Sequence, residues 1–403
     1  MVLWGVRIEA GDWPQFLGPT GDNVARGEKL ARRWPAGGPR VLWKTPVGVG
    51  FGGPCIRDGR VYILDRRNNM FDVLRCLDLE SGEELWRKAY HSPGKLNYNG
   101  SRSTPAADDT HVFTIGPFGQ LRCVSMKTHR PVWERHLLKE FGTKRPFFGC
   151  SQSPLVHKKM VIAAPLSDKT GVAAFDKLTG KLVWESKPFG PMRYSSPRCV
   201  TVGGVEQVVV MSLTHVAGVD VRDGALLWSY GGYRCSIPTA EPAFAGPGRF
   251  FVTGGYGAGS VMIQVDREEN GFAVRELFRL KKLGSQVHVP LLYGRHLYAQ
   301  CNTKSRKDGL ACLDLTGAVK WQRKNPTHFD WGGHILAGDL MLMMDGGSGV
   351  LRLLEPDPSG YRELARAKVL SGKQIWAPMA LSAGRLVLRD QKQLKCLVIG
   401  ERP

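Results

Sequence analysis

The stretch that decides the fold is Val172–Glu185, VAAFDKLTGKLVWE. An apolar run with a small residue near its centre (Ala174) meets Asp176, turns at Thr179-Gly180, and continues as a second run ending in Trp184. Versions recur at Leu74–Trp86, Leu121–Glu134, Val216–Ser229 and Gly309–Gln322, with weaker copies ending in Phe278 and Leu364. Gln393–Gly400 breaks off halfway. Trp43, Trp86, Trp133, Trp184, Trp228, Phe278, Trp321 and Leu364 therefore follow one another at 43, 47, 51, 44, 50, 43 and 43 residues. A period in the forties with several short strands per unit signals a β-propeller.

Each residue of the unit has a physical task. Gly82, Gly180, Gly224 and Gly317 supply the positive φ that a tight hairpin needs. Asp78, Asp176, Asp220 and Asp314 stand a few residues earlier, placed to accept hydrogen bonds from the turn amides. The tryptophan is large enough to wedge against the neighbouring sheet, because no blade buries both faces alone.

This tryptophan-turn unit resembles the repeat of the pyrroloquinoline-quinone (PQQ)-like β-propellers. That family spans quinoprotein dehydrogenases and non-enzymatic relatives such as the assembly lipoprotein of the outer-membrane β-barrel machinery. The lead-in Asp12–Pro19 (DWPQFLGP), with Trp34–Pro39 after it, looks like the opening of exported, planctomycete-type propellers. The resemblance implies an extracytoplasmic setting. Against that, the opening MVLWGVRIEA carries Arg7 and Glu9 too early for a signal peptide. No apolar run approaches the roughly 18 residues of a membrane span.

Strand pairs are expected at 53–64, 103–115, 153–164, 196–212, 238–253, 287–300, 333–345 and 377–390, eight in all. The last has a third strand, 394–399, but no fourth. An unclaimed outer strand, 40–45 (RVLWKT), sits at the other end of the chain. The fold class predicted is therefore all-β: a single eight-bladed propeller of four-stranded blades over 40–403, closed by 40–45 completing the last blade. Closure removes two sheet edges that an open array would expose. Residues 1–39 read as an arm packed on the propeller surface, with Trp13 and Phe16 as packing residues.

The chain has nine cysteines and no CxxC pair. Cys76, Cys123, Cys312 and Cys396 share one register in the third strand, where other copies have Ala174 or Gly218, so they read as small buried hydrophobes. Disulfides and a cysteine metal site are not expected. With 56 basic and 36 acidic residues the net charge is +20. The basic clusters, such as Lys144-Arg145, Lys281-Lys282 and Lys304 to Lys307, fall in turns. No recognition helix or RNA-binding aromatic motif accompanies them, so specific nucleic-acid binding is not expected.

Enzyme signatures are missing: there is no GxSxG, HExxH or phosphate-binding loop. Gly48–Gly53 matches GxGxxG by letters but leads into a strand and not a helix. Asp65, Asp345 and Asp390 end second strands in three blades that closure makes neighbours, which admits a metal cluster or plain turn caps.

Function is expected where the lead-in to each inner strand converges on the axis. The candidate ligand-binding residues are Arg102, Gln152, Tyr194, Arg234, Gln286, His288, Trp331, His334 and Trp376, with Phe51 beside them. Arginines, amides and aromatics around one funnel suit a protein, peptide or anionic small ligand, by charge-assisted hydrogen bonds and stacking. The alternative is that these groups satisfy one another and ordered water. Asp330 and Glu241 are the nearby acids.

The resemblance also implies a second function, PQQ-dependent dehydrogenase. Those enzymes pair the quinone with calcium held by acidic and amide side chains, use a catalytic aspartate, and often carry adjacent cysteines. No two cysteines are adjacent here, and the funnel is poor in the oxygen ligands a hard cation needs. The expectation is a monomeric, non-catalytic binding scaffold, with no cofactor and no metal.

Overall fold

The structure, a computed structural model, describes residues 11–302, 308–324 and 329–401. The N-terminal Arg7 and Glu9 and the basic stretch Lys304 to Lys307 lie outside the described residues. Eight antiparallel sheets follow one another around a ring, and almost all regular structure is strand. The third blade is representative, with strands Leu155–His157, Met160–Ala163, Ala173–Asp176 and Leu182–Glu185 in order from the axis outward.

Closure occurs as expected. Arg40–Pro46 forms the outer strand of the eighth blade, antiparallel to Gln393–Val398, with Trp43 opposite Cys396. The pair that joins the two ends of the chain is thus an ordinary within-blade ladder.

The tryptophans show why the unit repeats. Trp184 of the third blade donates Nε1–H to Val221 O of the fourth at 3.1 Å, and its ring covers Gly224 in that blade's turn. Trp133 does the same with Lys177 O and Gly180, and Trp43 with Leu79 O and Gly82 across the closure. Phe278, with no N–H to donate, still covers Gly317. A Cβ on Gly224 would lie 2.6 Å from the Trp184 ring, so glycine is required there by close approach as well as by its φ of +79°. The turn aspartates behave as expected: Asp176 Oδ1 accepts from Leu178 N, Thr179 N and the Thr179 hydroxyl.

Two tryptophans depart from this pattern: Trp228 donates instead to Gln207 Oε1 of its own blade, at 2.6 Å, and Trp86 departs for a visible reason. The second blade's turn carries His129, at φ 56°, where the glycine would stand. Trp86 stacks on its imidazole at 4.9 Å, and its indole Nε1 finds no hydrogen-bond partner.

The arm runs across one end of the ring. Trp13 exchanges backbone hydrogen bonds with Ile56 of blade one, Pro14 O accepts from Ala107 N of blade two, and Gln15 Oε1 accepts from Val156 N of blade three. Leu17, two residues on, packs among core residues of blades five and six. Touching opposite sides of the ring within five residues requires the segment to cross the axis. The chain then adds Val24–Ala25 as a parallel fifth strand beside His334–Ala337 of blade seven. The arm thus spans one end of the axial channel.

Gly224→Ala should destabilise the protein by about 1–3 kcal/mol through overpacking, and Trp184→Ala by about 3–5 kcal/mol through the cavity it leaves. Denaturant midpoints check both; near-wild-type stability of either variant contradicts the interlock.

Candidate functional site

Opposite the arm, the lead-ins to the inner strands surround an axial cavity of about 210 Å³. Its walls carry a continuous run of aromatic rings. Trp331 meets Trp376 edge-on at 4.9 Å, Trp376 stacks on Phe51 at 5.5 Å, and Tyr98 touches both Phe51 and Trp376. Phe148 links Tyr98 to Tyr194 at 5.8 and 5.6 Å. Phe16 of the arm also lines the cavity, as does Tyr256 from the hairpin between the second and third strands of blade five. The channel is therefore a cup, with the arm as its floor.

Two charged groups reach into this aromatic cup. Arg102 lies over the Phe51 ring at 5.6 Å and donates to Gly100 O at 2.7 Å and to Tyr98 O. Burial pushes its guanidinium down to about 10, so it remains cationic at neutral pH, and no carboxylate acts on it among the described residues. Its positive charge is held by carbonyl dipoles and the Phe51 ring, which leaves capacity for an incoming anion.

The second group is Glu241, 2% exposed. It ends a relay of inner-strand contacts, each from a backbone N–H to the matching side chain of the next blade. Gly53 N–H donates to Thr104 Oγ1, Thr104 N–H to Ser153 Oγ, Ser153 N–H to Ser196 Oγ and Ser196 N–H to Glu241 Oε1, all at 2.9–3.0 Å. Glu241 Oε2 has no hydrogen-bond partner among the described residues. Burial raises its carboxyl to about 7, with the Ser196 amide opposing.

Six of the nine sequence candidates line the cavity: Arg102, Tyr194, Gln286, His288, Trp331 and Trp376. Three do not. Gln152 spends its amide on both backbone groups of Ala164, at 2.7 and 2.8 Å. His334 donates from Nε2 to Val289 O and accepts at Nδ1 from Gln300, with burial and neighbouring His288 pushing it down to about 3. Arg234 is exposed and outside the lining. His288 is held by donation to Trp331 O at 2.7 Å, and burial keeps it neutral, down to about 4. Trp331 itself stands at φ 60°, a strained backbone for a bulky residue, fixed in part by that imidazole.

The lining residues that the sequence reasoning missed include Tyr98, Phe148, Ile237, Thr239 and Tyr256. Two of them had a signal. Tyr98 and Phe148 each stand four residues before a candidate position, 102 and 152. For Glu241 the signal was the recurrent residue-proline pair at 53, 104, 153, 196 and 241, in which it replaces a glycine or hydroxyl residue.

The aspartate trio forms no metal cluster among the described residues. Asp65 accepts from Gly48 N at 2.7 Å and faces Arg75, while Asp345 and Asp390 cap their turns at Gly347-Ser348 and Lys392-Gln393. In the cup, Glu241 is the one carboxylate of the lining and no two thiols come together there, so the calcium and quinone set of a dehydrogenase does not fit these residues.

A family model described as outer membrane protein assembly factor BamB matches residues 69–323. Among solved structures, BamB from Moraxella catarrhalis is 13% identical with a TM-score of 0.64, covering 90% of this chain and 98% of that one. Quinohemoprotein alcohol dehydrogenase from Comamonas testosteroni is 13% identical with a TM-score of 0.61, covering 98% of this chain and 81% of that one. A second such dehydrogenase, from Pseudomonas putida HK5, is 12% identical with a TM-score of 0.62, covering 99% and 82%. At these identities the likeness is one of fold. No curated protein matches in sequence.

Because Glu241 is raised above its unfolded value, ionising it in place costs stability as pH rises from about 4.5 to about 7. Glu241→Gln keeps the Ser196 hydrogen bond and removes that cost. Its melting temperature should exceed wild type at pH 8 and match it near pH 4; a pH-independent difference contradicts the buried carboxyl.

Proposed function

The chain belongs to the family of outer membrane protein assembly factor BamB, a PQQ-like propeller family, and from that premise we propose a non-catalytic binding scaffold. Its site is the axial cup, and its ligand is a protein segment or peptide that presents an aromatic or apolar side chain beside an acidic group. The observation that carries this reading is Arg102, cationic, without a carboxylate partner among the described residues, and set against aromatic rings.

The chemistry follows from the lining. Aromatic walls gain from an apolar or flat group by stacking and water release, and offer it no hydrogen-bond competition. An ionised guanidinium inside such walls favours an anion strongly, because the low local dielectric leaves the charge poorly screened. The arm sets a limit to depth: a ligand enters from one face and stops at Phe16. Such a cup takes a side chain or a chain end, and not a threaded polypeptide.

The competing dehydrogenase reading draws support from the alcohol dehydrogenases that share the fold. It lacks support in the lining, which has a single carboxylate, half protonated near pH 7.

The test is an array of peptides of matched length. Those pairing an aromatic residue with acidic neighbours should be retained over those with basic neighbours. Arg102→Glu and Trp376→Ala should each weaken retention about tenfold or more, which is about 1.4 kcal/mol, with melting temperature little changed. Lys181→Glu, in a turn on the arm side of the ring, should leave retention intact. Equal tolerance on the two faces would remove the cup from the function.

A further inference from the structure

On the arm side of the ring, three side chains from two blades meet for no reason the repeat supplies. His157 ends the inner strand of blade three, Cys199 lies on the inner strand of blade four, and Glu206 lies on the second strand of blade four. Their potential ligand atoms all fall within 4.8 Å of one another, with His157 Nε2 3.7 Å from Glu206 Oε1. From this juxtaposition we infer a zinc-binding site formed by His157 Nε2, Cys199 Sγ and Glu206 Oε1, bridging blades three and four.

Several independent features point the same way. His157 Nε2 is buried and has no hydrogen-bond partner, an arrangement that costs free energy unless something else satisfies the nitrogen. Cys199 is the one cysteine of nine that is not fully buried. It stands one residue after the position following the recurrent proline, where Ile56, Ala107, Val156, Phe244 and Leu292 put apolar side chains in other blades. The site is therefore a departure from the repeat. Glu206 divides its oxygens: Oε2 accepts from Lys158 Nζ at 2.5 Å, which orients the carboxylate and leaves Oε1 turned toward the imidazole.

The donor set suits zinc. One thiolate, one imidazole and one carboxylate are the mixed ligands this ion accepts, and two negative charges offset its own. Separations below 4.8 Å need to shorten by about an ångström to meet bonds of about 2.0–2.3 Å, within reach of side-chain rotation. Three protein ligands leave the fourth position of a tetrahedron to water. An access route exists, since His157 and Cys199 line a second cavity, of about 130 Å³, beside Gln15 and Leu17 of the arm. Binding replaces the S–H bond by an S–Zn bond and releases the thiol proton to solvent. Burial otherwise keeps that thiol protonated, pushed up to about 11, and keeps His157 neutral and ready to donate its lone pair.

Cobalt(II) provides the probe, added to the whole metal-stripped protein under reducing conditions. The expected result is one ion per chain, a near-ultraviolet thiolate-to-cobalt band with strong visible bands of four-coordination, and loss of both when zinc is added. Cys199→Ser should abolish the near-ultraviolet band, and His157→Ala should weaken binding about tenfold or more. Lys158→Ala should retain the band, since its partner is the other oxygen. Circular dichroism of each variant separates lost ligation from lost fold. A wild-type protein with no such band at saturating cobalt overturns the site, as does a band that persists in Cys199→Ser, which would belong to another thiol.

Discussion

One interaction recurs around this ring: a large outer-strand side chain, most often an indole, laid on the turn of the next blade, as Trp43, Trp133, Trp184, Phe278 and Trp321 are. Trp184 supplies apolar area, a hydrogen bond to Val221 O, and a shape that only a glycine at 224 admits. Bulk, donor and absent Cβ must coincide, so the contact specifies register between blades as well as stability. Trp43 makes the same contact with Leu79 and Gly82 although it is separated from its own sheet by most of the chain. The closing joint is consequently of the same kind as those made by Trp133 and Trp184.

The ring's symmetry also explains the site. Inner strands begin with a residue-proline pair, and the hydroxyls there tie neighbouring blades through Thr104, Ser153 and Ser196. Substitution of that hydroxyl position by Glu241 places a carboxyl at the end of this relay. The half-turn of chain ahead of each pair is free of repeat constraints, and there the aromatics and Arg102 accumulate. The arm then makes a cup of what would be an open channel.

Much of this was legible in the sequence, because repeats expose it. Blade number, the displaced strand 40–45, the turn aspartates and the tryptophan interlock all follow from periodicity and local chemistry. What periodicity could not convey was the direction of single side chains. Gln152 and His334 stand in the register of the lining yet turn to backbone partners at Ala164 and Val289. Tyr98 and Phe148 lie in irregular loops, marked only by their shared distance of four residues from positions 102 and 152. The path of the arm was hidden for a related reason: Val24–Ala25 is a two-residue strand, too short to leave a pattern. The meeting of His157 with Cys199 depends on blade packing and has no trace in either strand alone.

A propeller of this family can hold a redox cofactor or serve as a scaffold, and the two differ in what occupies the axis. Here the cup has one arginine, one buried carboxyl and a wall of rings. The most direct measurement is to add pyrroloquinoline quinone and calcium to the purified protein and follow its absorption and native mass, then supply an alcohol with an electron-accepting dye. The scaffold account predicts no stoichiometric adduct and no alcohol-dependent dye reduction. A one-to-one adduct that reduces the dye would contradict it.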